Sequence, residues 1–337
     1  MTGEMTIDVT GRRVRPDRAR LTEMLARAGV ADPSGALVEP LAGGTFNSAY
    51  RVVAGERRLV LKIAPPPAAA GLTYERGLPA TEAAFYRAAA GALAVPEVVH
   101  LDTERDLLPT DWLLMTELPG VNWFAGRHRL DDRQGASLRR QLGTAVAGLH
   151  RVTGTGFGYP QLGLAADWPT AFTGMIDAVL ADAVRYGVEL PVPAEALRAR
   201  LVHGRPALAE VTVPTLVHFD LWPGNVLVDP DPVTVTGVVD GERAFWGDPL
   251  AELPSLGLFG LAEEDPDLVV GYRAAGGILE LTAAARRRLE LYRVYLYLIM
   301  TVETVPRGAT GPSDRALARL VATHLRAAVD RLAGAGS

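Results

Sequence analysis

One stretch constrains this chain more than any other: Thr215 to Asp248, TLVHFDLWPGNVLVDPDPVTVTGVVDGERAFWGD. Its apolar runs are short and β-branched (Leu216-Val217, Val226-Leu227-Val228 and Val233 to Val239), so it reads as strands joined by polar loops and a tight turn. His218, Asp220, Asn225, Asp240 and Glu242 stand between those strands. Polar groups at the ends of buried strands are how a rigid scaffold presents chemistry. Asp220 and Asn225 share one loop, and Asp240 follows beyond a hairpin. With six His, 20 Asp and three Asn in 337 residues, chance yields about 0.003 H-x-D-x-x-x-x-N runs per chain. A hairpin with solvated loops and a C-capping Asn would explain the strands but not that spacing.

The basic residues carry a second signal. Of 34, 33 are Arg and one is Lys, Lys62. Lysine is a compact point charge on a slim stem and arginine a wide planar fork, so a lone lysine marks a place the fork does not fit. The segment before it, LVEPLAGGTFNSAYRVVAGERRLVLKIAP, reads as strand, glycine-rich turn, strand, tight turn, and a strand bearing Lys62. Glycines allow a backbone to approach phosphate and aim N–H groups at it. Gly43, Gly44 and Thr45 supply that backbone, and Asn47 and Ser48 add side-chain donors. By itself a Gly-Gly hairpin is only a turn, and no G-x-x-x-x-G-K-[ST] loop occurs.

A helix from Thr81 to Gly91 follows, with Glu82 in its first turn. There a carboxylate complements the helix dipole or orients Lys62. Glu75 competes for that role, and Glu82 is preferred because it lies on the helix. Pro96 to Leu101 and Asp111 to Glu117 complete five strands, with a leading helix over Arg15 to Gly29. The chain then breaks at Pro119-Gly120, which makes Glu117 and Leu118 a hinge whose backbone can receive a flat ring.

From Asp131 the pattern is helical: Asp131 to Arg151, Trp168 to Tyr186, Ala194 to Glu210, Pro249 to Phe259, Pro266 to Gly276, Thr282 to Val305 and Pro312 to Ala333. The Gly154-x-Gly156-x-Gly158 run follows a helix and has the wrong spacing for a dinucleotide fingerprint. Arg286-Arg287-Arg288 reads as a solvated helix face.

Composition narrows the function classes. A net charge of −5 argues against bulk nucleic-acid binding. The absence of cysteine excludes disulfides, thiolate metal sites and a Cys nucleophile. Val294 to Met300 is too short to span a bilayer, and Met1 to Arg18 has no apolar signal core. The expectation is a cytoplasmic protein without a membrane partner.

These parts, in this order, resemble the aminoglycoside phosphotransferase and choline-kinase-like family, small-molecule relatives of the protein kinases. The resemblance runs from about Val38 to Leu253, and DGERAFWGDPLAEL resembles that family's D-x-E-x-A-x-x-G-D-P-x-x-D-L signature. It implies an α+β, bilobal protein-kinase-like fold. A small antiparallel β lobe with one key helix, residues 1–118, would bind nucleotide. A larger, mostly helical lobe, residues 119–337, would carry catalysis and the acceptor. It further implies ATP and Mg²⁺. Lys62 would pair with phosphates and Glu82, and the Gly43–Ser48 loop would cover them. Asp220 would take or orient the acceptor proton, and Asn225 and Asp240 would hold Mg²⁺. His218 would brace the loop and Asp248 anchor the segment.

The chain departs from the pattern at Phe219, where many relatives have glycine, and at Gly241-Glu242 after the metal Asp, where protein kinases have Phe-Gly. Implied acceptors include aminoglycosides and other antibiotics, with a resistance role, or fructosamine-, choline- or homoserine-type metabolites. Glu242, Glu252 or Glu263-Glu264-Asp265 would favour a cationic one. The alternative of a non-catalytic nucleotide-binding scaffold requires loss of Lys62, Asp220, Asn225 or Asp240, and all four are present.

Overall fold

The computed structural model describes residues 5–7, 12–41 and 46–334. Gly43, Gly44 and Thr45 of the expected phosphate loop lie outside the described residues. Strands β1 (Met5–Ile7) and β2 (Val14–Pro16) pair antiparallel. That pairing takes Arg15 out of the leading helix expected there. Helix α1 therefore starts later (Arg18–Arg27), capped by the Asp17 side chain on Arg20 N at 2.8 Å.

Next come β3 (Leu37–Pro40), β4 (Ser48–Ala54) and β5 (Arg57–Ile63), with Gly55 at φ 60° supplying the left-handed turn between the last two. Helix α2 (Leu78–Ala89) begins a turn before the expected Thr81, because Gly77 and Pro79 already suit a helix start. Strands β6 (Val98–Asp102) and β7 (Trp112–Thr116) complete an antiparallel sheet of order β3-β4-β5-β7-β6. Period-two alternation gives this sheet two apolar faces. Val52, Leu61 and Leu114 pack with Met24 and Leu25 of α1, whereas Leu113 and Met115 join Phe85 and Tyr86 of α2 in the second core.

That second core continues through the rest of the chain. After β8 (Val121–Asn122) come the short α3 (Trp123–Gly126), then α4 (Asp132–Leu149), α5 (Trp168–Arg185) and α6 (Ala194–Leu208). Four short strands follow: β9 (Thr215–Val217), β10 (Val226–Pro230), β11 (Val233–Val238) and β12 (Phe245–Gly247). They form two small sheets, β11-β10-β8 and β12-β9. The end is helical: α7 (Leu253–Leu256), α8 (Pro266–Ala274), α9 (Ala283–Val302) and α10 (Pro312–Gly334).

Helix α9 is buried without interruption from Leu291 to Ile299, as its all-round apolar run requires. Helices α4 and α8 meet backbone to backbone: a Cβ on Gly271 would stand 1.9 Å from Arg140 O, and one on Gly143 2.2 Å from Leu268 O.

Two expectations need correction. The helix expected over Pro249–Phe259 stops at Leu256, because Gly257 lies against the Ala262 backbone, too close for a Cβ. Arg288 is not part of a solvated face. Its Nε donates to Asp248 Oδ2 at 2.8 Å, and Nη1 reaches Glu210 at 2.7 Å. No helix among the described residues is long and apolar enough to cross a membrane.

Candidate active site

Lys62 lies near the end of β5, opposite Ala49 of β4 and Leu113 of β7. It is 8% exposed, and its Nζ donates to Glu82 Oε1 at 2.6 Å and contacts Asp240 Oδ1. Burial alone would lower the Lys62 ammonium; Asp240 and Glu82 outweigh it and hold the group well above its ordinary value. Of the two candidate partners Glu82 is therefore the observed one. Glu75 instead receives Arg307 Nη2 at 2.7 Å.

One residue here escaped the sequence reading. Tyr86, one helical turn after Glu82, donates its hydroxyl to Glu82 Oε1 at 2.6 Å and accepts Asp240 N at 3.1 Å. The i, i+4 spacing from Glu82 was the available signal.

The catalytic-loop candidates are set by buried hydrogen bonds. Glu252, fully buried, accepts His218 N at 2.7 Å and Phe219 N at 2.9 Å, and Ser255 Oγ accepts Leu221 N at 3.1 Å. His218 Nε2 lies 3.0 Å from Val239 O, and Asp220 N donates to His218 Nδ1 at 3.2 Å. Those partners assign the Nε2–H tautomer. Burial pushes His218 down to about 4, so the ring is a neutral brace.

Phe219 stands at φ 62°, in the left-handed region that favours glycine. Its fully buried ring packs on Phe245 and Tyr295. Burying such a ring contributes about 2–3 kcal/mol, more than the roughly 1–2 kcal/mol that a left-handed residue costs. Asp240 is left-handed too, at φ 62°. This conformation lets β11 end while the carboxylate turns toward Lys62. Gly241 has no alternative, since a Cβ there would stand 2.2 Å from the Phe85 ring.

Asn225 Nδ2 donates to Asp220 O at 2.8 Å, which joins the two ends of the loop. Burial raises the Asp220 carboxyl to about 6, against a lowering effect of Arg243, whose Nε lies 3.8 Å away. Asn47 Nδ2 donates to Glu242 Oε2 at 2.7 Å, so the end of the expected phosphate loop is tied to the turn bearing Asp240. Among the described residues, Ser48 Oγ and Asn47 Oδ1 are buried and have no hydrogen-bond partner. Asp248 accepts Arg288 and Tyr292, the latter at 2.7 Å, as expected of an anchor.

Other expected residues serve elsewhere. The Glu117 N–H is taken by Arg58 O at 2.9 Å, which continues the β5–β7 pairing past Thr116. That donor is not available to a ring at the hinge. Its carboxylate holds Arg51 and Arg58, and Leu118 packs near Gly237. Glu252 does not face an acceptor, being committed to the loop backbone. Glu263 is paired with Arg293, and Asp265 caps α8. Beside Asp220 stand instead Arg243 and, behind it, Glu303 and Arg307. The sequence reading did not single out these three, since nothing in local spacing links them.

Asp240 and Asn225 suit a hard cation. The Asp240 side chain is 43% exposed beside its lysine, and Asn225 has its amide nitrogen committed, which leaves an oxygen. Among the described residues no cluster of three or more His, Cys, Asp or Glu is poised for a metal. Two oxygen ligands with the remainder from phosphate and water is how Mg²⁺ is commonly held.

A lysine–glutamate pair, an H-x-D-x-x-x-x-N loop and a strand-end aspartate between a β lobe and a helical lobe define a protein-kinase-like phosphotransferase. The phosphotransferase enzyme family model matches residues 37–292. The chain belongs to that family and is a small-molecule phosphotransferase.

It is 25% identical over 275 residues to the "Probable ketoamine kinase" of Lactiplantibacillus plantarum, covering 77% of this chain and 86% of that protein. Among solved structures it is similar to a thermostable mutant of aminoglycoside phosphotransferase APH(4)-Ia in ternary complex with AMP-PNP and hygromycin B. There the TM-score is 0.64 at 20% identity, over 94% of this chain and 99% of that one. A Haemophilus somnus 129PT protein named for fructosamine-3-kinase gives a TM-score of 0.63 at 16% identity, over 90% of this chain and 96% of that one.

Proposed function

We propose that the chain transfers the γ-phosphoryl group of ATP to a hydroxyl of a small molecule. Residues 1–118 would form the nucleotide lobe and residues 119–337 the catalytic lobe. The observation that carries this reading is the convergence of Lys62, Glu82 and Asp240 on one ion-pair cluster, with Asp220 and Asn225 on the neighbouring loop. Phosphoryl transfer asks mainly for positioning and charge neutralisation.

Lys62, fixed by Glu82, meets the α- and β-phosphates. Ser48 and Asn47, with the Gly43, Gly44 and Thr45 backbone, cover the phosphates. The Leu118 backbone borders the base. Asp220 takes the proton as the acceptor O–H bond breaks. The new O–P bond forms and the bond from the γ-phosphorus to the β-phosphate oxygen breaks, so ADP leaves. Asn225 and Asp240 would hold Mg²⁺, which supplies neutralisation of phosphate charge when bound.

Of the acceptor classes, a ketoamine has specific support. The relative from L. plantarum carries that name. In addition, Glu303 and Glu75 are neutralised by Arg243 and Arg307, and are not left facing a polycationic ring. An aminoglycoside-type acceptor is the alternative. A cytoplasmic location suits ATP use.

The test is ADP release from Mg-ATP across ketoamines, aminoglycosides and amino alcohols. Asp220→Asn should abolish turnover while the thermal shift produced by Mg-AMP-PNP persists. Near wild-type turnover in Asp220→Asn would refute the mechanism.

A further inference from the structure

The turn after α9 lies beyond residues 37–292, so the family match does not account for it. Yet it reaches the heart of the site. Glu303 Oε2 accepts Arg243 Nη2 at 2.9 Å and Arg307 Nη2 at 2.9 Å. The same Arg307 nitrogen lies 2.7 Å from Glu75 Oε1, in the connection leading to α2. Glu75 is itself fixed, since its Oε2 accepts Leu72 N at 2.7 Å. These side chains are mostly out of water: Glu75 3%, Arg243 11%, Glu303 13% and Arg307 21% exposed.

Alternating charges thus run Asp220, Arg243, Glu303, Arg307, Glu75, from the catalytic loop to the β lobe. Burial alone would lower Arg307; Glu303 and Glu75 hold it above its ordinary value.

The turn also touches the phosphate loop. The Phe46 ring lies under two guanidiniums, with Arg12 Cζ 5.3 Å and Arg307 Cζ 5.7 Å from its centroid. Arg12 Nη1 donates to Pro306 O at 2.6 Å, which fixes the turn to the segment before β2. Phe46 is the residue before Asn47 and Ser48, so Arg307 meets the phosphate loop on one side and Glu303, which holds the Asp220 partner Arg243, on the other.

We infer that Glu303 and Arg307 are positioning residues that couple the phosphate loop to the orientation of Asp220. Neither touches the reacting atoms. Arg307 sets Phe46 over the nucleotide side, and Glu303 sets Arg243 against Asp220. A buried pair that loses one member leaves the other charge uncompensated, so the disturbance passes along the chain to the Asp220 carboxylate.

This inference rests on the phosphotransfer reading, and the experiment separates the two. ADP release from Mg-ATP, with water or a fructosyl amine as acceptor, is measured on wild type, Asp220→Asn, Arg307→Gln, Arg307→Lys and Glu303→Gln. Each is first checked by thermal unfolding. Arg307→Gln should lower kcat about tenfold or more and raise KM for ATP a few-fold, since misplacement of about 1 Å costs up to about 100-fold. Glu303→Gln should lower kcat and raise KM for ATP less than Arg307→Gln does, because Arg307 keeps Glu75 as a partner. Arg307→Lys keeps the charge shared by Glu75 and Glu303 and should recover most of the loss.

An Arg307→Gln protein that is less stable but turns over as wild type, well below its melting temperature, overturns the inference and leaves the phosphotransfer reading intact. So does an equal loss in Arg307→Lys. Equal ADP release by wild type and Asp220→Asn overturns the phosphotransfer reading itself. If Arg307→Gln does not fold, Glu303→Gln decides, and unchanged kcat in it overturns the coupling.

Discussion

Glu252→Gln is a shape-preserving change at the carboxylate that holds the catalytic loop. The carboxylate is fully buried, and its two oxygens accept the His218 and Phe219 N–H groups. Burial raises its pKa to about 7 from an ordinary 4.5. An acid whose folded pKa is raised adds stability below the unfolded pKa and loses it as pH rises through the folded one. Between about pH 8.5 and about pH 5.5 this single group should therefore contribute about 2 kcal/mol in the wild type, at ~1.4 kcal/mol per unit. Glutamine takes up no proton and contributes nothing to that slope.

It also sets an NH₂ against a backbone N–H, which costs about 1–3 kcal/mol at either pH. The stability gap between wild type and Glu252→Gln should thus be about 2 kcal/mol wider at the acidic pH. At ~2.1 cal/mol/K per residue for 337 residues, that is about 3 °C in melting temperature. Calorimetric or circular-dichroism melts of both proteins at the two pH values measure the gap, and titrating groups that do not interact with Glu252 cancel in the difference. A gap that does not change with pH would refute the assignment of the raised pKa to Glu252.

Three further outcomes follow from the geometry. Lys62→Arg keeps the charge but brings a wider fork between Glu82 and Asp240. Turnover should fall about 100-fold, read by ADP release, and retained activity would show that the lone lysine is incidental. Gly271→Ala would drive a Cβ to 1.9 Å from Arg140 O, forcing α4 and α8 apart. A loss of about 3 kcal/mol in urea unfolding is expected, and a neutral result would mean that the two helices do not approach so closely. Phe219→Gly relieves a left-handed residue but gives up a buried ring, so net destabilisation of about 1–2 kcal/mol is expected. A stabilised Phe219→Gly would mean that strain outweighs packing there.

Much of the site was legible because its chemistry sits in short sequence spacings. His218, Asp220 and Asn225 share one loop, and the lone Lys62 and Glu82 stand one strand and one helix apart. Strand and helix periodicity likewise gave the five-stranded sheet and the buried α9. What escaped depends on distances the chain closes only in three dimensions. Arg243, Glu303 and Arg307 meet across more than one element, and no local pattern joins them.

Glu252 was misassigned because a carboxylate in sequence reads the same whether it faces solvent or caps a buried loop. Arg288 was misread for the opposite reason: in a run of three arginines only the helix phase decides which one turns inward. The Glu117 N–H is taken across the sheet by Arg58 O, a partner that no local pattern names.

The lone lysine has a practical consequence. Apart from the chain's own α-amino group, the side chain of Lys62 is the sole primary amine in a protein with 33 arginines. Reductive methylation with ¹³C-formaldehyde would therefore place one NMR-visible reporter inside the cleft, without any engineering of the sequence. Its chemical shift would follow the ion-pair cluster directly. Since the residue is 8% exposed, its rate of labelling would record how often the ion-pair cluster opens to solvent.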